Sequence, residues 1–320
     1  MSTTDSVFMR PFNSSTSHST SRCYAFIFWL GIILFACFIS ACSTLNGDEN
    51  DAAGDPSETS LYETAQKFIN KRFWQDAIEV LQSLEENYPF GEYAEQAQLE
   101  LIYAYYKSNE LEAVSVTVDR FIRLHPKHRH LDYAYYMKGL ATFTRHTGLL
   151  GDFTPIDLTT RDPGQAQLSF SYFADLVNRF PNSEYKNDAI KRMEFLRNLL
   201  ARHEIHVANY YFERGAYLAA ANRGRYVVEN YQQTPAVPDA LAIMAQGYHL
   251  LGLNDLSQAS IAVLQANYPE YPAFDNKEAF NFSYATGSAV TSAWIKTLSL
   301  GLFNKVPAPK FDTRNIYNPK

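Results

Sequence analysis

The sequence has little of what disulfide-stabilised proteins and nucleic-acid-binding proteins need. Its 320 residues include only three cysteines, and its formal net charge is −6. Cys23 and Cys37 lie in an apolar N-terminal segment, so removal of that segment would leave Cys42 alone and would exclude a disulfide within the mature chain. An acidic chain is also poorly suited to bind nucleic acid or to adhere generally to anionic membranes.

Motifs that indicate catalysis are missing as well. The sequence contains no HExxH zinc motif, no GxSxG nucleophile elbow and no GxxxxGK[ST] phosphate-binding loop. HPKHRH brings together three histidines, at 125, 128 and 130, but it includes no carboxylate or cysteine and is expected at a helix end. His203 and His206, three residues apart on a predicted helix, lack an evident third ligand. We therefore predict no enzyme activity, no metal and no cofactor, and an enzyme that uses the histidine cluster is the weakest alternative.

Residues 1–41 show the order of features of a secretory signal, with basic residues before an apolar run and small residues at its end. As a helix, the run over 24–41 would be about 27 Å long, barely enough for a hydrocarbon core of ~30 Å. A short transmembrane anchor and a plain secretory signal therefore stay as alternatives. The ending ISAC resembles the lipobox of bacterial lipoproteins, which implies cleavage before Cys42 and acyl chains attached to Cys42. Ser43 resembles the sorting pattern of lipoproteins sent to the outer membrane.

Four further segments follow the signal. Residues 42–58 are small and acidic after the cysteine, which predicts a lipidated Cys42 on a flexible tether. Apolar residues recur at helical spacing over 59–270. The C-terminal extension, 271–305, contains a predicted amphipathic helix over 287–303, which would either cap a solenoid or bind a partner. The tail over 306–320 is predicted to be disordered.

A repeated turn signal divides the helical region. An aromatic or histidine residue is followed by proline in four places and by glutamine in a fifth, and a buried-type apolar residue precedes each mark. The marks are Tyr88, His125, Phe180, Tyr231 and Tyr268. Their spacing suits tetratricopeptide repeats, which are helix pairs of about 34 residues. We therefore predict an all-α tetratricopeptide-repeat solenoid of about five helix pairs with a C-terminal extension.

Two details of the repeats stand out. The first two pairs predict helices over 61–70, 74–87, 93–107 and 111–124. The fourth repeat fits least well, because Gly224 stands where the other repeats have a large apolar residue. The third repeat is lengthened by HTGLLGDFTPIDLTTRDPG over 146–164, which is either extra binding surface or a tolerated loop.

Six blocks of the sequence closely resemble the BamD family, the lipoproteins of the β-barrel assembly machinery. In order, they are NYPFGEYAEQAQLELIYAYYKSNELEAV, DRFIRLHP, DYAYYMKGL, RDPGQAQLSFSYF, RFPNSEY and NYYFERGAYLAAANR. The resemblance implies a scaffold that is anchored by lipid at the periplasmic face of the outer membrane. It also implies binding to the barrel subunit BamA, in many bacteria to BamC and BamE, and to unfolded outer-membrane proteins as clients. The alternative is a periplasmic repeat lipoprotein that organises cell-wall synthesis.

In the light of this resemblance, one turn and one helix become candidates for client binding. Aromatic rings and a glycine at the turn between the first two repeats could receive an extended peptide that ends in an aromatic residue. The candidates there are Tyr88, Phe90, Gly91 and Tyr93. Alternatively, these rings close the core between two repeats. Arg120 and Arg123 on the following helix could bind the client's carboxylate, or they could be part of a solvated face.

Arg223 ends the block NYYFERGAYLAAANR. In the family this arginine belongs to the surface that meets BamA, so the resemblance implies that Arg223 binds BamA, with a carboxylate as its natural partner. The alternative is that Arg223 caps the preceding helix.

Overall fold

The computed structural model describes residues 56–147, 157–274, 279–285 and 308–315. The predicted signal peptide, Cys42, the tether up to residue 55 and the predicted amphipathic helix over 287–303 lie outside the described residues. Within the described residues, no helix is both long enough and apolar enough to cross a membrane.

The described part of the chain is all-α, as predicted, and its helices form five consecutive pairs. The helices are α1 Glu58–Lys71, α2 Trp74–Asn87, α3 Ala94–Lys107, α4 Leu111–Leu124, α5 Leu131–Thr147, α6 Gly164–Arg179, α7 Lys186–Glu213, α8 Tyr217–Asn230, α9 Val237–Leu250 and α10 Asn254–Asn267, with a short 3-10 helix, η1, over Leu158–Thr160. Helices α2 and α4 coincide with the helices predicted over 74–87 and 111–124. The all-α repeat solenoid is confirmed.

Each predicted turn signal is the residue that ends the second helix of a pair. The backbone N–H of Tyr88 donates to the carbonyl of Leu84, and the other four marks donate in the same way to a buried apolar residue. A following proline cannot continue the helix and disfavours helical backbone at the residue before it. Tyr231 adopts a similar backbone conformation before Gln232, so the proline is not required for this turn.

The two long repeats owe their length to different features. In the third pair, the extra residues lie between α5 and α6, where η1 and the undescribed residues 148–156 are found. In the fourth pair, they extend α7 to 28 residues. Two clusters of buried side chains meet within α7, with Leu200 in the first and Ala201 in the second.

Gly224 lies where α8 packs closely against α9. A Cβ atom at this position would lie 2.6 Å from the carbonyl oxygen of Ala240, well inside van der Waals contact. The missing large side chain is therefore a requirement of close helix packing and does not weaken the fourth repeat.

The prediction of a disordered tail is wrong for residues 308–315. Phe311 is 1% exposed and Thr313 is fully buried, although the segment is neither helix nor strand. Its polar groups have partners elsewhere in the chain, since Phe311 bonds Asn209 and Thr313 bonds Asp239. These partners are distant in sequence, so local composition did not reveal the packing.

Candidate functional site

The turn between α2 and α3 joins the first two helix pairs. The Tyr93 ring stacks on Tyr62 with 4.4 Å between centroids, and the Tyr93 N–H donates to Glu58 Oε1 at 2.7 Å. A Cβ atom on Gly91 would fall 2.1 Å from that same Glu58 oxygen, so glycine leaves room for the carboxylate. The Tyr88 hydroxyl donates to the carbonyl of Pro56. These contacts match the alternative in which the turn closes the core between repeats.

Phe90 has a different environment from its neighbours in the same turn. Its side chain is 99% exposed. It lies at the border of an open groove of about 740 Å³ between α2, α3 and α4, which we call the Phe90 groove. Val116 and Leu124, 68% and 59% exposed, also line the groove. Exposed apolar side chains that cluster around a concavity are typical of an interaction site.

Arg120 lines the Phe90 groove and already has a carboxylate partner. Its Nη2 lies 2.6 Å from Glu85 Oε2, and the other Glu85 oxygen accepts a hydrogen bond from Gln98 Nε2 at 2.9 Å. The Arg120 side chain remains 41% exposed, so part of the guanidinium faces solvent. Arg123 is exposed on α4 and does not line this groove. Of the six predicted client-binding residues, the structure thus brings Phe90 and Arg120 together.

A second groove crosses the first helices of the first three pairs. It encloses about 310 Å³ and is lined by Gln66, Ile69, Gln96, Leu99, Glu100, Tyr103, His130, Tyr133, Glu184 and Tyr185; we call it the tyrosine groove. At its centre, Glu100 accepts hydrogen bonds from the Tyr62 hydroxyl at 2.8 Å and from Gln66 and Gln96. This groove was not predicted from the sequence. Its signal was the recurrence of tyrosine in the first helix of successive pairs, as in YAYYK and DYAYYMKGL.

Two phenols of this groove, those of Tyr133 and Tyr185, have a raised pKa and so stay protonated over the physiological pH range. Burial, with the Glu184 carboxylate as a further cause, raises the pKa of Tyr185 to about 12. Burial also raises the pKa of Tyr133 well above its usual value. Neutral phenols present a donor at the edge of an apolar ring, which suits the mixed polar and apolar surface of a polypeptide.

Arg223 lies in the middle of α8 and pairs with α7. Its Nη1 is 2.9 Å from Glu204 Oε2, and its guanidinium lies 6.0 Å from the centre of the Tyr211 ring. The Glu204 carboxylate raises the pKa of Arg223 further above its usual value, against the effect of burial. Because Glu204 is distant from the end of α7, the structure does not support a helix-capping role for Arg223.

Three of the histidines singled out in the sequence contact other parts of the fold. His125 Nδ1 and His128 Nε2 lie 3.0 and 3.4 Å from the two oxygens of Glu95. His203 Nδ1 lies 2.8 Å from the carbonyl oxygen of Thr159 and so connects α7 to η1. Within the described segments, no group of three or more His, Cys, Asp or Glu side chains is arranged to hold a metal ion.

Comparison with known proteins assigns the chain to a protein family. Residues 54–264 match the model of the YfiO family, described as outer membrane lipoprotein. The chain belongs to the YfiO family. Phe90, Arg120 and Arg223 lie inside the matched region, whereas the packed segment 308–315 lies beyond it.

Relatives of the chain carry the name outer membrane protein assembly factor BamD. The protein of Neisseria meningitidis serogroup A is 39% identical over 73% of this chain and 88% of the relative. That of Vibrio cholerae is 38% identical over 68% and 90% of the two chains. That of Xylella fastidiosa strain Temecula1 is 34% identical over 86% and 94%. These similarities confirm the resemblance to BamD that the six sequence blocks indicated.

Proposed function

We propose that the protein is a lipid-anchored scaffold subunit of the β-barrel assembly complex of the outer membrane, where it binds BamA and unfolded outer-membrane proteins and catalyses no reaction. Family membership and the relatives' names support this role. The observation that carries client binding is the 99% exposure of Phe90 beside a groove that has the exposed apolar side chains of Val116 and Leu124 among its mixed polar and apolar lining. Apolar side chains that are exposed together around a concavity favour contact with another protein.

The Phe90 groove is suited to an aromatic-ended peptide. An incoming aromatic residue can pack on Phe90, and the exposed part of Arg120 can bind a terminal carboxylate next to it. Arg123, also exposed on α4, adds positive charge nearby. Tyr88, Gly91 and Tyr93 act in this proposal by fixing the turn that presents Phe90. The tyrosine groove is a second surface, on which the polar tips of the rings can contact the rest of an extended client.

Arg223 is the proposed contact to BamA. Its side chain is 41% exposed, while that of its partner Glu204 is 12% exposed. The internal pair therefore holds the guanidinium in place and leaves donors available for a carboxylate on BamA. BamC and BamE are proposed as further partners where they are present.

Lipid attachment at Cys42 would hold the folded domain at the periplasmic face of the outer membrane. Stable anchoring takes more than one acyl chain, which the lipoprotein modification supplies. Labelling of cells with a radioactive fatty acid tests this assignment, because a Cys42→Ala variant should take up no label.

Capture of the tagged protein from native membranes in mild detergent, followed by mass spectrometry, tests the function as a whole. We expect a large barrel protein with periplasmic domains as the main partner. Enrichment of cell-wall synthases instead would overturn the proposal and favour the alternative role in cell-wall synthesis.

A further inference from the structure

Asn209 on α7 binds both backbone groups of Phe311 through its side-chain amide. Its Nδ2 donates to the Phe311 carbonyl at 2.8 Å, and its Oδ1 accepts from the Phe311 N–H at 2.8 Å. One amide side chain thus satisfies the backbone donor and acceptor of one residue, as a neighbouring strand would. Recognition of this kind does not depend on the side chain of the bound residue and is a usual way to hold a non-helical peptide.

Asp239 on α9 binds the residue two positions further along. Its fully buried carboxylate accepts from the Thr313 N–H at 3.2 Å and from the Thr313 hydroxyl at 2.9 Å. The same carboxylate pairs with Arg202 on α7 and accepts the Tyr271 hydroxyl at 2.7 Å. Arg202 and Tyr271 lie outside the segment that contains Thr313. If Thr313 moved away, Asp239 would therefore keep its ion pair with Arg202 and its hydrogen bond from Tyr271.

Two side-chain contacts add to the attachment of residues 308–315, which we call the C-terminal segment and whose Lys310 N–H also donates to the Ala285 carbonyl. Phe311, 1% exposed, packs on Phe212 with 5.9 Å between ring centroids. Arg314 donates to both oxygens of Asp157, with Nη2–Oδ2 at 2.9 Å and Nη1–Oδ1 at 3.2 Å. These contacts are specific for an aromatic residue and for a basic residue three positions later.

The residues under the C-terminal segment lie on α7 and α9, the first helices of the last two pairs. Arg202 and Asn209 are seven residues apart on α7 and so lie on one side of it. Glu204, which pairs with Arg223, is two residues from Arg202 and is therefore rotated by about 200° around the helix. The surface under the C-terminal segment is thus separate from the surface proposed for BamA. Stacked repeats commonly bind extended partners along such surfaces.

We propose that this surface is a binding site for a non-helical peptide segment and that the C-terminal segment occupies it as an internal ligand. The site consists of Arg202, Asn209, Phe212 and Asp239, with Asp157 as the acceptor for the basic residue. Its partner is a protein segment with an aromatic residue, a serine or threonine two positions later and a basic residue after that. Such a partner must displace the internal ligand before it binds, so access to the site is controlled by the chain itself. The inference does not depend on the roles proposed for BamA and clients.

Binding of a labelled peptide tests the proposal. The probe is APKFDTRN, the sequence of residues 308–315, and its control has alanine in place of the phenylalanine and threonine. Fluorescence anisotropy compares the full-length protein with an opened variant, Phe311→Ala with Thr313→Ala. We expect the opened variant to bind the probe at least about tenfold more tightly, because its own segment lacks the ring and the hydroxyl and so competes less strongly for the site in cis. A further Asn209→Ala change should remove this gain. Equal binding by both proteins, no binding, or tight binding that is independent of Asn209 would overturn the proposal.

Hydrogen exchange of the unaltered protein gives an independent test if the opened variant does not fold. An internal ligand leaves its site by local opening, at a lower free energy than global unfolding. We expect the Phe311 amide to exchange at least about a hundredfold faster than buried amides of α9 such as that of Ile243. Equal protection would show that the C-terminal segment is part of the cooperative core and would overturn the proposal.

Discussion

Arg223 on α8 and Glu204 on α7 form an ion pair whose two members differ in exposure. The distance between Arg223 Nη1 and Glu204 Oε2 is 2.9 Å, with 41% of the arginine and 12% of the glutamate side chain exposed. A change at position 223 therefore affects two things together: the charge presented to a partner and the charge balance of a mostly buried carboxylate. A test of the BamA contact has to separate these effects.

Charge reversal and charge exchange separate them. Arg223→Glu should weaken binding to the periplasmic domains of BamA and should also lower the melting temperature, because it sets two carboxylates side by side. The exchange variant, Glu204→Arg with Arg223→Glu, restores the internal pair and should recover most of the melting temperature. It still presents a negative charge outward, so calorimetry should show that BamA binding stays weak.

Either of two outcomes would contradict the BamA assignment. Unchanged affinity of Arg223→Glu would place Arg223 outside the interface. Recovery of affinity in the exchange variant would show that the single change acted through the fold.

Phe90→Ala should reduce crosslinking to an aromatic-ended client peptide without a loss of stability. Because the Phe90 ring is 99% exposed, we expect the free energy of unfolding to stay within about 0.5 kcal/mol of the wild-type value. Phe73→Ala, which removes a 53% exposed ring from the turn between α1 and α2, is the matched control. Equal crosslinking by the two variants would argue against a special role for Phe90. Tyr88→Ala is less informative, since it also removes the hydrogen bond to Pro56.

Gly224→Ala should destabilise the fold although it adds one methyl group. The new Cβ would lie 2.6 Å from the Ala240 carbonyl oxygen, and overpacking of this kind costs about 1–3 kcal/mol. Gly252→Ala is the control, because no heavy atom lies within 4 Å of its Cβ position and the cost there is backbone strain at φ +72°, about 1 kcal/mol. Urea unfolding should rank Gly224→Ala as the more damaging change. A neutral Gly224→Ala would show that α8 and α9 can move apart.

The sequence predicted the features that depend on local patterns. Periodicity and turn chemistry act over a few residues, so the ends of α2 and α4 and the five aromatic or histidine turn residues could be located in advance. Tyr88 and Phe90 show where this information ends. Both are aromatic residues of one turn. Tyr88 donates a hydrogen bond to the Pro56 carbonyl, whereas Phe90 is exposed to solvent, and this difference depends on residues distant in sequence.

The packing of residues 308–315 could not be predicted for a related reason. A short polar segment has no periodicity, and its composition is typical of disorder. Its order depends on hydrogen bonds to Asn209 and Asp239. These two residues lie on different helices, and only the folded structure shows that both face the segment. Gly224 likewise looks like a weak fit to the repeat pattern, since a sequence does not show how closely two helices approach.

Asp239→Asn should be among the most destabilising single changes on α9. It removes the negative partner of Arg202, whose side chain is only 10% exposed, and a cation left in that position is costly. Loss of one partner of a buried ion pair typically costs 3–5 kcal/mol, so we expect a loss of about that size in chemical denaturation. Asp157→Asn, at an exposed pair with Arg314, should cost no more than about 1 kcal/mol. Similar losses in the two variants would contradict this ranking.

Acidification from pH 7 to pH 5 should lower the free energy of unfolding, with the buried His146 and the partly buried His128 as the cause. Burial lowers the pKa of His146, and the neighbouring Arg161 lowers it further; burial also lowers the pKa of His128, against the opposing effect of Glu95. The unfolded chain, with histidine pKa values near 6.5, therefore binds protons that the folded chain does not, and stability falls below that pH. Each group contributes at most about 1.4 kcal/mol per pH unit. Urea unfolding of His128→Gln with His146→Gln should show a flatter pH dependence between 5 and 7, and a slope equal to that of the wild type would exclude these two histidines as its source.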